Sequence, residues 1–152
     1  MRNKIQYCRI DTTWTDQLTS FFERIHTNSQ DKYFHPHPFD QKKAQELCCY
    51  TGFDLYYVQT IETKICGYGM LRGWDQGYKI PSLGIIIHSD YRGRGLGKKF
   101  MKFLHEQAGK KGAKKIRLKV YPENLSAVNL YKKLEYSFLG KEEGQLLAFV
   151  EL

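Results

Sequence analysis

Apolar positions recur along this chain with two different periods, and the switch between them outlines its elements. Leu18, Phe21, Phe22 and Ile25 stand at i, i+3, i+4 and i+7, the spacing of one helical face, and predict a helix over residues 13–28. Pro36 and Pro38 prevent its continuation, because proline lacks the amide proton a helix interior uses. Asp40 is placed to cap a second helix that runs to about residue 50, with Ala44, Leu47 and Cys48 inward. Leu96, Phe100, Phe103 and Leu104 predict the inner face of a third helix, ending near Gly109. Ala127, Leu130, Tyr131 and Leu134 predict the inner face of a fourth, over residues 126–134. Shorter runs rich in β-branched and aromatic residues predict strands at 5–10, 53–60, 65–71, 80–88, 114–120, 136–140 and 145–152. The order is β-α-α-β-β-β-α-β-α-β-β. Hairpin-linked strands come first and strand-helix-strand units later, which predicts an α/β (α+β) fold. Its sheet would be mixed and largely antiparallel, of about 6–7 strands, flanked by four helices on both faces.

Composition agrees with one compact domain over the 152 residues. The 11 Tyr, 9 Phe and 2 Trp supply core material and argue against disorder. No apolar run approaches the roughly 20 residues a membrane helix needs. The start Met1-Arg2-Asn3-Lys4-Ile5 has no apolar stretch behind it, so no secretory signal peptide is expected. Cys8, Cys48, Cys49 and Cys66 form no C-x-x-C pair and match no metal spacing. They read as reduced thiols of a cytoplasmic protein that holds no metal. The 24 Lys+Arg against 16 Asp+Glu give a formal net charge of +8 and favour an anionic partner, without choosing which.

The chemistry concentrates in the stretch from Ile85 to Lys99. A buried strand, Ile85-Ile86-Ile87, enters a turn containing Gly93, Gly95 and Gly97, and a helix leaves it. Helix starts present unpaired N–H groups and the positive end of the dipole, and glycines let an anion approach them. Arg92, Arg94, Lys98 and Lys99 add positive charge. A Walker A loop would need glycine where Arg92 stands and Ser or Thr where Lys99 stands. A dinucleotide fingerprint starting at Gly93 would need glycine where Lys98 stands. Neither fits.

The pattern that does fit is Arg-x-x-Gly-x-Gly, as Arg92, Gly95 and Gly97. It resembles the pyrophosphate loop of the GNAT superfamily of acetyl-CoA-dependent N-acetyltransferases. A second stretch resembles that family's other motif through Asn124, Ala127, Leu130, Tyr131 and Lys133, with Glu135-Tyr136 where Gly-Phe is usual. The resemblance is specific over about residues 80–139. It implies acetyl-CoA as co-substrate, held by Ile85, Ile86, Ile87, Arg92, Gly93, Arg94, Gly95, Leu96, Gly97, Lys98, Asn124 and Tyr131. It also implies Tyr131 as general acid toward the departing thiolate. A thiol of pKa ~8.5 and a phenol near ~10 suit that exchange, since the phenol stays protonated at neutral pH. The competing reading of Tyr131 is a core aromatic on its helix.

The fourth strand, where many relatives carry a glutamate base, has no carboxylate over Ile80-Pro81-Ser82-Leu83-Gly84. Water, Asp75 or a histidine remain as proton acceptors. The proline-stiffened segment with Phe34, His35 and His37 lies where the resemblance implies the acceptor pocket, so these three are candidate substrate contacts. His35 or His37 is a candidate base, because imidazole titrates near neutrality. A rigid surface loop is the alternative. The expected reaction is acetyl transfer to a primary amine, a small molecule or amino sugar, in one ternary complex. A catalytically silent acyl-CoA-binding protein and a basic RNA-binding module are the alternatives. No RNA-module pattern appears, so nucleic acid is not the expected partner, and no membrane is. Monomer and homodimer are both open.

Overall fold

The computed structural model describes residues 4–152, so the extreme N-terminal residues read above for a leader lie outside the described part. Seven strands form one sheet in the order β1-β2-β3-β4-β5-β7-β6. They are β1 (Ile5–Arg9), β2 (Leu55–Ile61), β3 (Lys64–Arg72), β4 (Ser82–Ile87), β5 (Lys115–Val120), β6 (Ser137–Glu142) and β7 (Gln145–Glu151). Every neighbouring pair is antiparallel except β4 and β5. The helices are α1 (Thr15–Thr27), α2 (Gln41–Cys48), α3 (Leu96–Lys110) and α4 (Leu125–Lys133). The element order and fold class are those the sequence predicts. No helix among the described residues is long and apolar enough to cross a membrane.

Alternation along the strands divides the core. On one face, Val58, Tyr68, Met70 and Ile86 meet Leu18, Phe21, Phe22 and Ile25 of α1 and Ala44 and Leu47 of α2. On the other, Tyr57, Leu71, Leu83 and Leu118 meet Phe100, Met101 and Leu104 of α3 and Val128 and Tyr131 of α4. Asp40 caps α2 as predicted, its carboxylate accepting from the Lys43 amide at 2.8 Å.

Three boundaries differ from expectation for physical reasons. β4 begins at Ser82 rather than at position 80, because Pro81 has no amide to give the ladder and Ile80 is exposed. β2 begins at Leu55, leaving Phe53 71% exposed. A tight turn at Glu143 (φ 52°) and Gly144 (φ 80°) lets β6 extend to Glu142, since such hairpin turns need positive φ at both central residues. On α3, Met101 and Ala108 are fully buried, whereas Phe103 is half-buried and stacks on Tyr7 at 4.3 Å. On α4, Val128 and Tyr131 are buried in the core, whereas Ala127 and Leu130 are half-buried between that core and a cleft.

Candidate active site

β4 and β5 share a single ladder pair, Ser82 with Arg117, supported by the Arg117 amide donating to Pro81 O at 3.0 Å. Beyond it the strands part. On its other edge β4 remains paired to β3 through Gly69, Tyr68 and Gly67, so along Ile85, Ile86 and Ile87 the edge toward β5 has no strand partner. The opening is a cleft of about 300 Å³. Its walls come from β4, the glycine turn, the end of β5, α4 and the connection from α1 to α2.

The glycine turn forms one end of the cleft. Gly93 (φ 77°) and Gly95 (φ 74°) take left-handed backbone, and a Cβ on either would meet no heavy atom within 4 Å. Space is therefore not why glycine stands here; the backbone conformation is. Gly95 precedes the first residue of α3 with no side-chain cap, so the first amides of the helix stay open toward the cleft. The Arg92 guanidinium donates through Nε to Ile87 O at 3.3 Å, tying the turn to the strand.

Of the residues predicted for the co-substrate, Ile85, Ile86, Ile87, Arg92, Gly93, Gly95, Leu96, Gly97, Asn124 and Tyr131 line this cleft together. Arg94 and Lys98 do not. The Arg94 guanidinium instead lies 5.5 Å from the centroid of the Tyr91 ring, outside the lining. Asn124 precedes α4 without capping it, and its Oδ1 receives only a long 3.5 Å contact from Ser126 Oγ.

Tyr131 is 7% exposed, and both readings of it hold at once: its ring belongs to the core, and it also lines the cleft. Its hydroxyl has no hydrogen-bond partner among the described residues. Burial pushes its pKa well above the ordinary tyrosine value, because a phenolate would lose its hydration there. The group therefore arrives protonated, as a donor.

The segment from Tyr33 to Phe39 splits in three. Phe34 lines the cleft, its ring packed against Gly84 so closely that a Cβ there would approach it to 2.8 Å. His35 is exposed and off the cleft's lining, sharing a separate surface pocket with His37, with Nε2 2.9 Å from the hydroxyl of Tyr121, the residue after the cleft-lining Val120. His37 is not brought to the cleft. It packs among Phe22, Phe39 and Tyr68. Its Nδ1 donates to Pro38 O at 2.8 Å, so its basic Nε2 accepts from the Tyr68 hydroxyl at 2.9 Å. Burial brings its pKa down to about 4. Asp75 is likewise committed away from the cleft, accepting from the Tyr50 hydroxyl and from the Phe53 amide at 2.7 Å. Among the described residues no group of three or more His, Cys, Asp or Glu side chains is arranged to hold a metal.

Sequence reading missed Gln30, Tyr33, Tyr91 and Lys119 in the lining. Gln30 grips Ser89 twice: its Nε2 donates to Ser89 Oγ at 2.7 Å, and the Ser89 amide donates to its Oε1 at 3.0 Å. The pair joins the connection after α1 to the connection after β4 across 59 positions, and no local pattern announces it.

Comparison with known proteins agrees with this geometry. A family model described as "Acetyltransferase (GNAT) family" matches residues 16–136. An acetyltransferase of Sodalis glossinidius is 31% identical over 83 residues, covering 55% of this chain and 57% of that protein. A thialysine N-epsilon-acetyltransferase of Bos taurus is 33% identical over 96 residues, covering 63% of this chain and 49% of that one. The chain thus spans about half the length of these curated relatives. The PaiA N-acetyltransferase of Thermoplasma acidophilum, solved in complex with coenzyme A, superimposes with a TM-score of 0.79. That match covers 98% of this chain and 99% of that one at 12% identity, a likeness of fold.

Proposed function

Because this chain belongs to the acetyltransferase (GNAT) family, we propose that it is an acetyl-CoA-dependent N-acetyltransferase acting on a primary amine, with both substrates bound at once. The observation that carries the reading is the convergence, in one cleft, of the basic glycine turn, the unpaired edge of β4 and the protonated Tyr131. Open-space glycines and free helix amides suit a pyrophosphate, and an open strand edge suits an amide-bearing arm. Coenzyme A supplies the acyl group as a thioester: the C–S bond breaks, a C–N bond to the amine forms, the amine releases a proton and the sulfur takes one up.

Tyr131 holds the proton for the sulfur. Its burial keeps the hydroxyl protonated, and so a donor, at neutral pH. No cysteine lines the cleft among the described residues, which supports direct attack over an acyl-enzyme. For the amine proton His35 is our candidate, since its pairing with Tyr121 ties the ring to the residue after the cleft-lining Val120. Phe34 walls the acceptor side. The relative from Bos taurus is named for thialysine, and a small amine is the acceptor class we carry to this chain.

Titration calorimetry with acetyl-CoA, against adenosine diphosphate, tests the cleft, and thiol release with a panel of amines tests transfer. Coenzyme-dependent binding and amine-dependent thiol release are expected. Tyr131→Phe should lower kcat about a hundredfold or more and leave acetyl-CoA affinity nearly unchanged. Unchanged turnover would remove Tyr131 from its role. Binding without transfer to any amine would leave an acyl-CoA-binding protein.

A further inference from the structure

A second cavity, of about 850 Å³, opens at the closed end of the β4–β5 divergence. Its floor is a row set by strand register: Arg72 pairs with Ser82, Ser82 with Arg117, and Arg117 with Phe149. Residues directly opposite in register project to the same face, so two arginines flank one serine hydroxyl, with an aromatic side chain beside them. Arg72 and Arg117 stand two strand spacings apart, roughly 10 Å between backbones, close enough for two guanidinium groups to converge on one anion. Lys79 stands on the lining as well.

The two carboxylates on that lining keep their charge but direct oxygens to neutral donors of the surrounding loops. Asp54 Oδ1 accepts from the amides of Gly73, Trp74 and Asp75 at 3.0, 2.9 and 3.3 Å, and so holds the loop after β3. Asp75 binds Tyr50 and the Phe53 amide. The cations are less engaged. Among the described residues neither Arg72 nor Lys79 has a carboxylate within 4 Å. Arg117 gives one amino group to Glu142 at 3.2 Å, and Glu142 is shared with Lys119 at 3.0 Å. A guanidinium has five N–H donors, so most of Arg117's capacity remains.

The same face of the sheet continues to the transfer cleft, with the Phe34 ring packed on Gly84 between the two. Ser82, Gly84 and Ile86 alternate onto it from β4, and Arg117 and Lys119 from β5; Ile86 and Lys119 line the cleft. From the arginine row to those residues is two to four positions, roughly 7–13 Å along the strands. Resting on the acetyl-transfer reading, we propose that this groove is a specificity site for the acceptor. It holds an anionic group, carboxylate or phosphate, of a molecule whose primary amine reaches the cleft across that span. The acceptor class is therefore an amine with an anionic tail, since two guanidinium groups flanking a hydroxyl offer such a tail charge-assisted hydrogen bonds that a neutral or cationic tail does not accept.

Four acceptors of similar length test this: ε-aminocaproate, aminohexyl phosphate, n-hexylamine and cadaverine. Each is measured by thiol release with acetyl-CoA, and by calorimetric binding to the protein saturated with coenzyme A, which needs no turnover. The anionic tails should lower KM and Kd at least tenfold against n-hexylamine, with cadaverine poorest. Arg72→Gln and, separately, Arg117→Gln should reduce that preference about tenfold. Thermal unfolding identifies any variant that fails to fold, and the wild-type comparison stands without either. Comparison of the two anionic arms shows which group the site prefers. Anion-selective binding without turnover would uphold the groove and sink the transfer reading. Turnover or binding indifferent to the tail would overturn the groove, and indifferent turnover would leave the transfer reading intact.

Discussion

Burial acts in opposite directions on the proton affinities of Tyr131 and His37, and each direction has a consequence that can be measured. Taking Tyr131 out of water disfavours its anion and leaves a proton donor in the cleft. Taking His37 out of water disfavours its cation and lowers its pKa from 6.5 to about 4. Between those two values the unfolded chain binds a proton that the folded chain refuses. Stability is therefore complete above about pH 6.5 and declines as the pH falls toward about 4. Burial also lowers the pKa values of His88 and His105, which add to the same slope. Thermal midpoints measured down this range should fall, and His37→Gln should make the fall shallower. An unchanged slope would mean that the His37 environment is not that of the buried, Tyr68-bonded ring.

At the scale of elements, the start of α3 and the tie across to the α1–α2 connection hold the co-substrate end of the cleft in shape. Gly95→Ala adds a methyl group into open space but at φ 74°, so its cost is conformational, of the order of 1–2 kcal/mol. The variant should fold with a modestly lower midpoint and bind acetyl-CoA less tightly, as calorimetry would show. A rise in affinity would contradict a turn organised for an anion. Gln30→Ala removes both bonds to Ser89 while touching no core residue. Hydrogen exchange at the Ser89–Tyr91 amides should quicken, and acetyl-CoA affinity should drop several-fold, since each bond contributes roughly 1 kcal/mol. Equal exchange rates would show that the turn is held without this tie.

For the whole molecule, the formal charge of +8 sets up a field that draws in anions before any contact forms. Acetyl-CoA binding should weaken as salt rises from low to physiological ionic strength, because screening shortens the reach of that field. Affinity independent of salt would place the binding energy in neutral contacts alone. The fold supports this by packing α1 and α2 on one face of the sheet and α3 and α4 on the other. That leaves the splayed seam between β4 and β5 as the place inside the sheet, apart from its outer edges at β1 and β6, where strand pairing lapses among the described residues.

The elements themselves were legible in the sequence, because helix and strand periods are local properties of neighbouring residues. The spacing of Leu18, Phe21, Phe22 and Ile25 is enough to orient α1, and all four are buried. The glycine turn was legible for the same reason: three glycines and their basic neighbours are consecutive, and so is the stretch carrying Asn124 and Tyr131. Only the tertiary structure decided which side chains meet across long separations. It bound His37 to Tyr68 and placed His35 beside Tyr121, although the two histidines are next-but-one neighbours and read alike. It gave Ala127 and Leu130, packed against the core as predicted, a second surface on the cleft, and left Arg94 and Lys98 off its lining. Strand register, which depends on the whole sheet rather than on any one strand, put Arg72, Ser82, Arg117 and Phe149 in one row. A chain's own spacing fixes the faces of its elements, whereas the partners those faces meet are set by packing that no single segment encodes.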